Sequence, residues 1–110
     1  MILKSDESIT FDLTFAFSEP VDLDSFRFLL ENVLFEMGEV EVSWPEETEA
    51  NGTFDADTEY TVPVDFTPEE DFDDDSIKYA LKKIKKEMAG EDKDLVLIKI
   101  AYEGEEVSVE

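Results

Sequence analysis

Ile9-Thr-Phe-Asp-Leu-Thr-Phe-Ala-Phe17 alternates without a slip, with large apolar side chains at the odd positions and Thr, Asp, Thr and Ala at the even ones. Successive side chains of an extended chain point to opposite faces, so this stretch is a strand with one face for a core and one for water. That reading decides more than one strand. A chain with 31 acidic and nine basic residues, net −22 over 110 residues, is otherwise a candidate for disorder. Regularly spaced Phe, Val, Ile and Leu among the charges argue instead for one folded domain. Such a length can bury roughly two thirds of the surface its unfolded chain exposes.

Working outward, Ser18-Glu-Pro20 breaks the strand, and Asp22 or Asp24 can cap a helix running to about Met37, with Gly38 placed to end it. At 100° per residue Leu23, Phe26, Leu30, Val33, Leu34 and Met37 share a stripe, and Phe28 and Phe35 fall nearly opposite it. Two phenylalanines on the wet side of a helix are candidate contact residues. A second alternating strand, Glu39 to Trp44, ends at Pro45, and a third runs from Tyr60 to Phe66 with Pro63 at an edge position or over a missing amide. A tight turn at Asn51-Gly52 would set the apolar faces of these two strands on opposite sides. A bulge or odd-length loop is therefore predicted within residues 45–58. Thr67-Pro-Glu-Glu70 has the form of a helix start. The helix proper is predicted over about Asp74 to Ala89, burying Ile77, Ala80, Leu81, Ile84 and Met88 and wetting Lys78, Lys82, Lys83, Lys85 and Lys86. Leu95 to Tyr102 suits a central strand, and Glu106 to Val109 a short last one.

The order strand, helix, strand, strand, helix, strand, strand resembles, in its first six elements, the βαββαβ arrangement of ferredoxin-like folds. The resemblance implies a two-layer α+β sandwich: an antiparallel sheet in the order 4-1-3-2, two helices on one face, and an added C-terminal edge strand beside the fourth. The open face would carry Thr10, Asp12, Thr14, Glu39, Glu41, Glu59, Thr61, Asp65, Glu106 and Ser108. Many functions share this topology, so it implies none of them.

Function has to come from the charge. Residues 1–77 hold 23 acids against Lys4 and Arg27, whereas residues 78–110 hold eight acids against seven lysines. From Phe28 to Ser76 there are seventeen acids and no base. Without His or Cys the common nucleophile–base pairs are excluded, and four glycines, each at a turn or cap, leave no phosphate-cradling loop. No enzyme and no cofactor is expected. Asp71-Phe-Asp73-Asp-Asp75 opens like a calcium loop, but Ser76 stands where Gly is needed and Lys82 where a bidentate Glu is needed, so no metal site is expected. An acidic sheet face also repels nucleic acid. No basic and apolar leader opens the chain, and no apolar run nears the ~20 residues of a membrane span, which predicts a soluble, cytoplasmic protein.

The composition is similar to that of small acidic inhibitors of DNA-binding enzymes, including phage proteins directed against host restriction, repair or CRISPR systems. It implies a module that sets carboxylates where phosphates would lie and occupies a basic surface, as a monomer or homodimer. The candidate contacts are Glu46, Glu47, Glu49, Asp55, Asp57, Glu69, Glu70, Asp71, Asp73, Asp74 and Asp75, with Phe28 and Phe35. Two other readings fit the sequence: an assembly domain using the two phenylalanines, and a salt-adapted protein whose acids serve solvation.

Overall fold

The computed structural model describes residues 4–90, 95–102 and 104–108; within them, the side chains of Asp74, Glu105, Val107 and Ser108 lie outside the description. The elements are β1 (Ile9–Phe17), β2 (Val21–Asp22), α1 (Leu23–Phe35), β3 (Gly38–Val42), α2 (Glu46–Asn51), β4 (Thr53–Phe54), β5 (Tyr60–Pro68), α3 (Asp74–Gly90), β6 (Leu95–Tyr102) and β7 (Glu105–Ser108). The fold is mixed α+β. Five strands form one antiparallel sheet in the order β3-β5-β1-β6-β7, and β2 and β4 form a separate two-stranded ribbon. Val109, expected in the last strand, lies outside the described residues.

β1 is central because its alternation lets both neighbours share one core face. Phe11, Leu13, Phe15 and Phe17 are buried and meet Val62, Val64 and Phe66 of β5 together with Leu95, Ile98 and Ile100 of β6. The pairing with β6 slips between Ala16 and Phe17, leaving Val96 unmatched and 59% exposed. That bulge brings Leu95 onto the same side as Ile98, which strict alternation would forbid. The helices cover this face with Phe26, Leu30, Val33 and Leu34 of α1 and Ile77, Ala80, Leu81, Ile84 and Met88 of α3. Asp22 caps α1, its carboxylate accepting from the Ser25 amide at 3.2 Å.

Several expectations need correction. Gly38 does not terminate α1, which ends at Phe35 with Glu36 still right-handed; it opens β3 opposite Pro68. Its missing Cβ is what the sheet needs, since a methyl there would run into the Thr67 carbonyl oxygen and come within 2.7 Å of the Pro68 Cα. Thr67 and Pro68 end β5 and do not start a helix, held by an Asp6 amide donating to Pro68 O at 3.0 Å and a Glu69 amide donating to Met37 O at 2.9 Å. Thr14 was expected on the open face but is buried, paired with Thr61 on one side and Lys99 on the other, its hydroxyl 3.0 Å from that of Thr61. Pro63 stands in an internal strand, and its carbonyl accepts from Ser43 just past the end of β3. N–H and C=O of one strand residue point the same way, so its missing donor also faces the place where β3 has stopped.

The largest departure is the β3–β5 connection. Val40 lies opposite Phe66 and Val42 opposite Val64, so the apolar faces agree and an odd number of residues separates each pair. Asn51-Gly52 is not a hairpin tip. Gly52, at φ 71°, caps a third helix, α2, and its carbonyl accepts from the Leu23 amide at 2.9 Å. The chain then lays β4 along β2, with Val21 opposite Phe54. Phe54 enters a cluster with Phe15, Phe17, Phe26, Trp44 and Tyr60, its ring centroid 5.0–6.0 Å from theirs. A stretch that reads as a polar loop is thus anchored by one aromatic side chain.

Candidate functional surface

The expected carboxylates fall into two groups. Glu46, Glu47 and Glu49 occupy the first turn of α2, where the exposed helix amides favour negative charge. Asp55 and Asp57 follow on the same arm, at the end of the sheet where β1 stops. The Asp55 amide donates to the Tyr60 hydroxyl at 2.7 Å, and Asp57, at φ 55°, donates its amide to Phe17 O at 2.8 Å. Glu69, Glu70, Asp71, Asp73 and Asp75 lie at the opposite end, between β5 and α3, all exposed. Asp74 opens α3 there, and its side chain lies outside the description. β5 separates the groups by nine residues, about 30 Å of strand. The structure therefore does not gather the set into one cluster.

Between the two ends runs the open face of the sheet, which bears Asp12, Glu39, Glu41, Asp65 and Glu106. Glu41 is paired directly with Asp65, and Asp65 with Thr10, whose hydroxyl donates to the Asp65 carboxylate. A shallow cleft of about 280 Å³ opens there, lined by Ser8, Glu39, Glu41, Asp65 and Thr67 among others. Like charges directly opposed across strands cost stability. Lys99, on the same face, is held by Glu106 at 3.1 Å. The helical layer differs: α1 and α3 together carry five acids and six bases. Twenty-six acids and three bases remain for everything else. The excess of negative charge is thus carried by the strands, the loops and α2, not by the two long helices.

Asp71 and Asp73 act locally. The Asp71 carboxylate accepts from the Ser5 amide at 2.8 Å, and that of Asp73 from the Ser76 amide at 3.1 Å and its hydroxyl at 3.3 Å. The bond from the Ser76 amide holds the Asp73 carboxyl below the usual carboxylate range. Asp73 is therefore the cap of α3. Among the described residues no group of three or more carboxylates is drawn together as a metal would need. A group whose folded pKa is depressed adds stability above its unfolded pKa of about 3.9 and loses it as pH falls through the folded value. Asp73→Ala is expected to lower the melting temperature at pH 6, with the deficit shrinking toward pH 3. A deficit independent of pH in thermal melts would show that the carboxylate charge is not what caps the helix.

Phe28 and Phe35 are 71% and 64% exposed, as their place on the helix requires. Phe28 borders a small recess with Ser25, Leu29, Asn32 and Glu87, which Phe35 does not line. Sequence reasoning missed a larger feature. Between the C-terminal end of α1 and the first turns of α3 lies a groove of about 500 Å³. Val33, Met37, Phe72, Tyr79 and Ala80 supply its apolar lining, and Glu36, Glu70, Asp75 and Lys83 its charged groups. Tyr79 is 74% exposed among the lysines of α3. An aromatic on that wet face was the signal available in the sequence.

No family model, no curated protein and no solved structure matches this chain. Among the described residues no helix is long and apolar enough to cross a membrane. Function has to be argued from the surface itself.

Proposed function

We propose that this is a ferredoxin-like acidic domain that occupies the basic, nucleic-acid-binding surface of a partner protein in the cytoplasm and so acts as an inhibitor of the nucleic-acid-mimic type. The sheet order β3-β5-β1-β6, with α1 and α3 on one face, supports the fold reading. The observation that carries the functional one is the division of charge, with 26 acids and three bases outside the two long helices. Duplex DNA sets one charge per about 1.7 Å of axis, and same-face strand residues recur only every 6.6 Å or so, so a mimic needs neighbouring strands and rims together. Glu41 beside Asp65, Glu39 next along β3, and the acidic groups at both ends of β5 supply such a set. Charge then sets encounter rate and salt dependence, and apolar contacts set residence time.

The test is capture from lysate followed by binding of the purified partner. Enrichment of nucleic-acid-binding proteins, a loss of affinity of about tenfold or more between 50 and 200 mM salt, and displacement by DNA are expected. Affinity indifferent to salt and to DNA would remove the mimic reading. The exposure of Phe28 and Phe35 supports the assembly reading. It is separated in the same assay: a Phe28→Ser, Phe35→Ser variant that loses all association while acid-to-amide variants keep it assigns the contact to the aromatic pair.

A further inference from the structure

We infer that the groove between α1 and α3 is the anchoring pocket of this surface, and that its occupant is an amphipathic basic segment of the partner, one apolar side chain on the groove floor and Arg or Lys at its rim. The inference rests on the proposed binding of a basic protein and adds where the apolar contact is made. The groove's volume of about 500 Å³ is within the roughly 300–1,000 Å³ of pockets that accept a compact ligand group. Its apolar lining is Val33 and Ala80, both buried, Met37 and Phe72, half-buried, and Tyr79, left mostly in water. Charge complementarity selects the occupant. Among the described residues the one cation in the lining, Lys83, is turned to Glu36 at 3.4 Å, and Glu70 and Asp75, also in the lining, form no ion pair. An apolar side chain flanked by cations satisfies both parts at once. A neutral segment would bring no counter-charge to Glu70 and Asp75, and a second copy of this chain would bring more negative charge to them.

The experiment uses the whole domain and three synthetic peptides of equal length: arginines around a central Trp, the same with Ser for Trp, and the Trp peptide with Ser for every Arg. Calorimetry and amide chemical shifts are read at low salt. The first peptide is expected to bind at least about tenfold more tightly than the second, with shifts centred on Met37, Phe72 and Tyr79, and more tightly than the third. Tyr79→Ser, a change at an exposed position, is expected to erase the preference for Trp. Equal affinity for the first two peptides, with shifts confined to the acidic face, overturns the pocket but leaves the acidic-surface reading standing. No binding of either arginine peptide overturns the acidic-surface reading itself. Equal binding of the third peptide overturns the basic occupant, and groove shifts that vary with the protein's own concentration give the groove to a second copy.

Discussion

Phe54→Ala is expected to destabilise the domain by about 3–5 kcal/mol, a large part of the roughly 5–15 kcal/mol that holds a domain of this kind folded. Phe54 is wholly buried and touches five other rings, three of them edge-on: Phe15 at 5.2 Å, Phe26 at 5.8 Å and Tyr60 at 5.0 Å. Removing its ring leaves a cavity that β1, α1 and β5 cannot close without breaking their own pairings. The ribbon between β2 and β4 has only two residues on each side, and the hydrogen bonds of Gly52, Asp55 and Asp57 that flank it depend on the seat the ring provides. Urea denaturation of wild type and variant measures the loss, and Phe54→Leu should retain most of the stability. A deficit below about 1 kcal/mol would mean that the acidic arm of residues 45–57 is not docked on the core.

Gly38→Ala carries the second largest effect, about 1–3 kcal/mol of destabilisation from overpacking. What the added methyl meets is the backbone of Thr67 and Pro68, which cannot swing aside as a side chain could. The strand pair β3–β5 must open at that end, and with it the Glu69 amide loses its place against Met37. Gly90 supplies the control. It ends α3 with open space around the position of a Cβ, so Gly90→Ala should raise stability by about 0.5–1 kcal/mol through the unfolded chain. Equal melting temperatures for the two alanine variants would show that no close approach exists at Gly38.

The strands and long helices were legible because their periods are strong. The odd positions from Phe11 to Phe17, and Ile77, Leu81, Ile84 and Met88 on α3, are buried in the core as the alternation and the helical stripe require, with Ile9 packed at its edge. Residues 45–58 were legible only as a constraint. Pairing logic demanded an odd number of residues between Val42 and Val64, but nothing local distinguishes a bulge from a short helix followed by a ribbon. Phe54 stands alone between polar residues, and a lone aromatic has no period. Gly38 was misread for a related reason: a glycine after a helical stripe suits a cap, and its close approach to Pro68 depends on a strand thirty residues away. The candidate acids were legible as a composition and not as a place, since their separation along β5 follows from register. The groove needs two helices at once, so no single stretch announces it.

The clasp formed by Gly52, Leu23 and the buried ring of Phe54 bears on recognition as well as stability. A loop of this composition left to itself would have to give up its freedom on meeting a ligand, at a cost that subtracts from affinity. Here the ordering is already complete when folding ends. Glu46, Glu47, Glu49 and Asp55 are carried on a template of set shape, so a partner of the kind proposed would meet preorganised carboxylates and be selected by geometry as well as by sign.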